Sequence, residues 1–112
     1  MSHYLIELYT PNSAWNALSK NERKQYLGNV ATAMGGLLEL GVKPLTLTQI
    51  DTAVEQRSEH LFVAVWHFPN LATRDALLSG IKASGWYNYF SHVNAAGIET
   101  SFAEHLDALC NI

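Results

Sequence analysis

Glu7 and His92 are the residues of this chain best suited to acid–base chemistry. Glu7 lies in His3-Tyr4-Leu5-Ile6-Glu7-Leu8-Tyr9-Thr10, a strand-like run in which one carboxylate stands amid apolar groups. His92 lies in Trp86-Tyr87-Asn88-Tyr89-Phe90-Ser91-His92-Val93-Asn94, a run dense in aromatics. Antiparallel pairing about the midpoints of the two runs puts Glu7 roughly opposite His92, and opposite residues share a sheet face. A carboxylate and an imidazole that meet in an apolar cavity form a general-base pair. Either the carboxylate orients His92, or burial raises the pKa of Glu7 and makes it the base. Tyr9, Asn88 and Asn94 are the polar groups expected nearby, and Trp66 or Tyr89 can stack on a flat substrate. The plainer reading of the same residues is a Glu–His or Glu–Tyr hydrogen bond that fixes the sheet or a dimer seam.

Other chemistries find less support. His3, His60, His67, His92 and His105 fall at no helix or turn spacing that would gather a metal ion. The same register brings His67 near His3 and away from Glu7, so no metal is expected, and His60 and His105 are expected to be solvated. Gly35-Gly36 lies inside a helical pattern, so no glycine-rich phosphate loop exists. No cofactor is expected. Cys110 is the single cysteine, which excludes an internal disulfide and fits a reducing, cytoplasmic setting. The formal net charge is −3 and the 7 Lys and Arg are scattered, which argues against nucleic acid. No signal-peptide pattern opens the chain, and no apolar run reaches the ~20 residues of a membrane span.

Four strands and two long helices are needed to position these groups. The run from Glu59 to Pro69 is the most strand-like, and both of its faces are apolar: Leu61, Val63 and Val65 with His67, against Phe62, Ala64, Trp66 and Phe68. Such a strand must be covered on both sides. In the first strand, His3 to Thr10, the face of Tyr4, Ile6 and Leu8 is purely apolar and is expected to meet helices. Ser19-Lys20-Asn21-Glu22 matches a capping box, and Leu27, Val30, Met34, Leu37 and Leu38 follow at helical spacing, which predicts a helix from Lys20 to Leu40 stopped by Gly41. Gly28, Gly35 and Gly36 weaken it, and close approach to the sheet is the expected compensation. Lys43 to Val54 reads as an edge strand and Glu55 to Ser58 as a turn. Asn70 caps a second helix, with Leu71, Leu77, Leu78 and Ile81 inward, that ends at Ser84-Gly85. Aromatic density favours a strand over a helix from Trp86 to Asn94, ended or bulged by Ala95-Ala96-Gly97. Ser101 to Glu104 repeats the capping-box spacing and opens a short C-terminal helix.

Residues 1–112 therefore read as one α+β domain of ferredoxin-like βαββαβ order, with a four-stranded antiparallel sheet in the order four-one-three-two, two helices on one face and a short helix at the C-terminus. The other face is left bare, with apolar groups from the third strand and aromatics from the fourth, and predicts a homodimer through that face.

This order and size resemble the dimeric α+β barrel superfamily, which includes small cofactor-free monooxygenases. More narrowly, Glu7-Leu8-Tyr9-Thr10, Trp15 with Leu18, Glu22 and Arg23, and Gly85 to Phe90 through Val93-Asn94 with Gly97 resemble a group of small bacterial proteins of unknown function. Trp15 to Arg23 is also similar to darcynin-type proteins. The superfamily resemblance implies a barrel that holds a small apolar or aromatic organic molecule, with Trp66 placed like a pocket aromatic of the monooxygenases. A cofactor-independent monooxygenase or isomerase is the enzyme implied, and a non-catalytic ligand-binding or dimerisation module is the alternative.

Overall fold

A computed structural model describes residues 2–112. The elements in chain order are β1 (His3–Pro11), α1 (Ser13–Asn16), α2 (Lys20–Glu39), β2 (Lys43–Gln49), β3 (Phe62–Phe68), α3 (Leu71–Ala83), α4 (Trp86–Tyr89), β4 (Phe90–Ile98) and α5 (Phe102–Cys110). The four strands form one antiparallel sheet in the order β2-β3-β1-β4. This is the α+β, ferredoxin-like arrangement that the strand and helix pattern predicts.

Local chemistry sets most boundaries. Ser19 and Glu22 exchange both capping-box bonds at the start of α2, and Ser101 and Glu104 do so at α5. The Asn70 side chain accepts from the Thr73 amide at the start of α3. Gly41, with φ +95°, takes the left-handed position that ends α2. Gly85, with φ +80°, turns the chain out of α3 and lets one helical turn follow. Residues 86–89 are therefore helical and not part of a strand. The Asn88 and Tyr89 carbonyls at the end of that turn accept from the side chain and backbone of Asn12. Strand β4 begins only at Phe90 and runs straight through Ala95-Ala96-Gly97. Strand β2 stops at Gln49, and residues 50–61 form a loop.

The pleat is the reverse of the one expected for β1. Leu5, Glu7 and Tyr9 face the helices, together with Ala64, Trp66 and Phe68 of β3. Tyr4, Ile6 and Leu8 lie on the bare face with Val63, Val65 and His67. The reason is packing volume near the ends of the strands. Leu5 and Phe68 are fully buried with Val42 and Leu77 in the core, and that fixes their parity on the helix side. Strand β4 gives Val93, Ala95 and Gly97 to the bare face, while its aromatic residue Phe90 is buried. The expected aromatics are thus absent from that face.

Helix α2 closes the other layer loosely. It buries no residue fully, and Leu27 and Leu38 of its predicted stripe are largely exposed. A Cβ built on Gly28, Gly35 or Gly36 would meet nothing within 4 Å, so these glycines do not serve a close approach to the sheet. The space left between α2 and the sheet is a cavity.

Candidate functional site

A cavity of about 290 Å³ lies between the sheet and the helices. Small-molecule pockets run from ~300 Å³ upward, so this one suits a compact ligand. Its floor is Glu7 and Tyr9 of β1, Ala64 and Trp66 of β3 and Leu47 of β2. Helix α2 supplies Val30, Ala33, Met34 and Leu37, and α3 supplies Ala76, Leu77, Gly80 and Ile81. Ser84 and Trp86 close the end. The wall is apolar apart from one carboxylate, two hydroxyls and two indole N–H groups.

Glu7 is the buried charged residue among the described residues, its side chain 6% exposed. The Trp66 indole donates to Glu7 Oε1 at 2.6 Å. Burial pushes the Glu7 carboxyl above its ordinary value, and the Trp66 bond offsets only part of that. His92 Nε2 stands 3.4 Å from Glu7 Oε2, so the carboxylate and the imidazole do meet. The register differs from the expected one by two residues: Glu7 pairs with Asn94, and His92 with Tyr9. A slip of two keeps every side chain on its face.

The state of His92 follows from its partners. The Trp86 indole donates to His92 Nδ1 at 3.1 Å, which makes Nδ1 an acceptor without a proton. The proton is then on Nε2, which donates to Asn94 Oδ1 at 2.7 Å and points toward Glu7. Burial holds His92 below its ordinary value, with the Asn94 bond opposing. His92 is therefore a neutral donor whose basic nitrogen is already engaged. In this arrangement the free base is Glu7.

Tyr9 stacks between Phe62 and His92, with ring planes 13° and 8° from parallel. Burial, then the nearby Glu7 charge, pushes its hydroxyl pKa up, so it stays protonated. Asn94 serves His92 and Tyr87 and does not line the cavity. Asn88 is exposed, and Tyr89 packs against Trp15 and Tyr26, a group joined to the cavity residues Trp86 and Tyr9 only through Phe90. Neither reaches the cavity. Trp86 is the residue that sequence reasoning overlooked. Its signal was present in the six-residue spacing to His92, an even spacing that puts both residues on one face in a strand reading of residues 86–94.

The remaining histidines are dispersed. His67 lies on the bare face against Tyr4. His60 is partly buried and bonded to Thr10 at 3.0 Å, not solvated as expected. His105 is exposed. Among the described residues no group of three His, Cys, Asp or Glu side chains could hold a metal ion. No helix among them is long and apolar enough to cross a membrane.

Fold and cavity together define a ferredoxin-like α+β protein with one buried carboxylate facing an apolar space. The chain belongs to a family of unknown function (DUF6616), whose model matches residues 2–112. No curated protein matches it. Among solved structures it is similar to a mutant chlorite dismutase from Candidatus Nitrospira defluvii, with TM-score 0.72 and 16% identity over 95% of this chain. The chain spans 44% of that protein, less than half its length. It is also similar to a dimeric ferredoxin-like protein of unknown function from Thermobifida fusca, with TM-score 0.53 and 14% identity over 88% of this chain and 92% of that one. A hypothetical Arabidopsis thaliana protein matches with TM-score 0.55 and 9% identity over 88% of each chain. At these identities the likeness is one of fold.

Proposed function

We propose that the cavity binds a small apolar or aromatic organic molecule, with Glu7 as its polar anchor, in a homodimer formed through the bare sheet face. The observation that carries this reading is the carboxylate itself. A charged group held among apolar side chains costs several kcal/mol unless it is partnered or does work there. Glu7 accepts one hydrogen bond from its own chain, from the Trp66 indole, with His92 Nε2 3.4 Å from its other oxygen, and a carboxylate offers about four lone-pair sites. Acceptor capacity remains for a ligand. Trp66 and Trp86 line the cavity and can stack on a flat molecule. The dimer is supported by the exposed apolar residues Ile6 and Val93 on the bare face and by the dimeric ferredoxin-like neighbour. The enzymatic version is proton transfer or oxidation without a cofactor. The darcynin-type likeness at Trp15 to Arg23 bears on none of it, since no cavity residue falls in that stretch.

A second reading has its own observation. Trp66, His92, Asn94 and Trp86 satisfy one another and Glu7 in one continuous network, which is what a purely structural role requires. Native mass spectrometry of protein purified from its own host separates the two. The proposal expects a dimer that carries a small non-covalent adduct, released on denaturation. A bare protein that also takes up no added aromatic would leave Glu7 and Trp66 as a structural pair.

A further inference from the structure

An inventory of the polar hydrogens around the cavity narrows the ligand. The Trp66 indole N–H is engaged by Glu7, and the Trp86 indole N–H by His92. The Ser84 hydroxyl donates to the Ile81 carbonyl at 2.7 Å. The Tyr9 hydroxyl makes no hydrogen bond among the described residues. The cavity therefore offers a ligand one strong acceptor, Glu7, and one unengaged donor, Tyr9. Both sit on the helix-facing side of β1 at positions i and i+2, about 6–7 Å apart along the strand. The Tyr9 ring is clamped by Phe62 and His92, so its hydroxyl is a pre-oriented donor. A matching ligand brings a carbonyl oxygen to Tyr9 and a removable hydrogen to Glu7, and is otherwise apolar.

Resting on the cavity reading above, we propose that Glu7 and Tyr9 form a proton-transfer site for an enolisable ketone of one or two rings. Glu7 takes a proton from the carbon beside the carbonyl. The C–H electron pair becomes a carbon–carbon double bond, and the carbonyl π pair moves to oxygen, where the Tyr9 hydroxyl holds it. In D₂O the Glu7 carboxyl trades that proton for a solvent deuteron, and delivery of the deuteron to the same carbon gives exchange. Return to the far end of a conjugated enolate gives an allylic isomer and restores the carbonyl. No oxidant or reductant enters, and the proton count is unchanged. Trp66 is a positioning residue that holds carboxylate Oε1, and His92 Nε2 stands 3.4 Å from Oε2.

The probe is 2-tetralone in D₂O, with exchange of its C1 hydrogens followed by proton NMR. Binding of 2-naphthol, a flat mimic of the enol, is measured in parallel by calorimetry. The wild-type protein should bind 2-naphthol and accelerate exchange above buffer. Glu7→Gln should lower the protein-dependent rate about 100-fold or more, and Tyr9→Phe roughly 10- to 1,000-fold. Glu7→Asp, which keeps the charge but withdraws it by a methylene, should fall between Glu7→Gln and wild type. Tyr89→Phe, outside the cavity, should match wild type. Binding of 2-naphthol without exchange above buffer, or exchange by Glu7→Gln as fast as wild type, overturns the proton-transfer site and leaves the ligand cavity standing. Failure to bind 2-naphthol or 2-tetralone at all overturns both.

Discussion

Two titratable side chains at the cavity tilt stability in opposite directions. The Glu7 carboxyl is raised above 4.5 in the folded protein. The folded state thus holds a proton that the unfolded state has released, and the stability this contributes is complete below about pH 4.5 and declines as pH rises through the folded value. His92 is lowered below 6.5, so its contribution is complete above that pH and is lost as pH falls. Glu7→Gln removes the first slope only. Its stability relative to wild type should rise steadily as pH increases from about 4.5, a trend that urea melts across the range will read. A flat difference would mean that Glu7 is no more buried than an ordinary surface carboxylate. Trp86→Phe removes the donor to His92 Nδ1. A donor to Nδ1 favours the neutral ring, so without it His92 should titrate higher than in wild type, as an NMR pH titration reads, while the Asn94 acceptor keeps the neutral ring's proton on Nε2. The meeting of Glu7 with His92 was legible in the sequence because strand periodicity is two. An error of two residues in register moved Glu7 along the strand without turning it off its face. The role of His92 was not legible, because it depends on the Trp86 indole, which a helical turn delivers.

Among the elements, α2 and the segment after α3 carry the most information. Helix α2 is well capped and poorly packed, with Gly35 and Gly36 in open space within it. Nothing in the fold needs those glycines, so Gly35→Ala and Gly36→Ala should each stabilise the protein by about 0.5–1 kcal/mol in denaturant titrations. A loss of stability would show that the helix bends closer to the sheet than the structure has it. The capping boxes at Ser19 and Ser101, the Asn70 cap and the Gly41 stop were all readable, since each depends on residues within one helical turn. Two other features were not. The pleat of β1 is not legible because Tyr4, Ile6 and Leu8 are the more apolar set, whereas the set on the helix side carries a carboxylate, Glu7. The helical turn at residues 86–89 is not legible because aromatic density and the Gly85 punctuation both favour a strand, and only the structure shows that Gly85 takes a left-handed φ of +80° and lets a helical turn follow.

At the scale of the molecule, the chain is a plate 20 Å thick, 36 Å wide and 49 Å long. That thickness accommodates one sheet and one layer of helices, and no third layer. Helix α5 adds to the uncovered apolar surface, with Phe102 78% exposed and no residue of the helix buried. Ile6 lies at the centre of the bare sheet face, so Ile6→Glu should place an unpaired charge in the proposed dimer seam and yield a monomer by light scattering, with the cavity on the far side of the sheet unaffected. An unchanged mass for that variant would place the association elsewhere. The βαββαβ order was readable from the alternation of strand and helix patterns, and the cavity was not, because a void is a property of how loosely α2 settles on the sheet. The proposed binding rests on that void. Gly80 lines it, and a side chain there would enter open space. Calorimetric titration of wild type and Gly80→Leu with 2-naphthol is the direct test. Wild type should bind saturably, while Gly80→Leu should be at least as heat-stable and bind at least about tenfold more weakly, a difference of ~1.4 kcal/mol. Equal binding by the two proteins, or none by wild type, would contradict it.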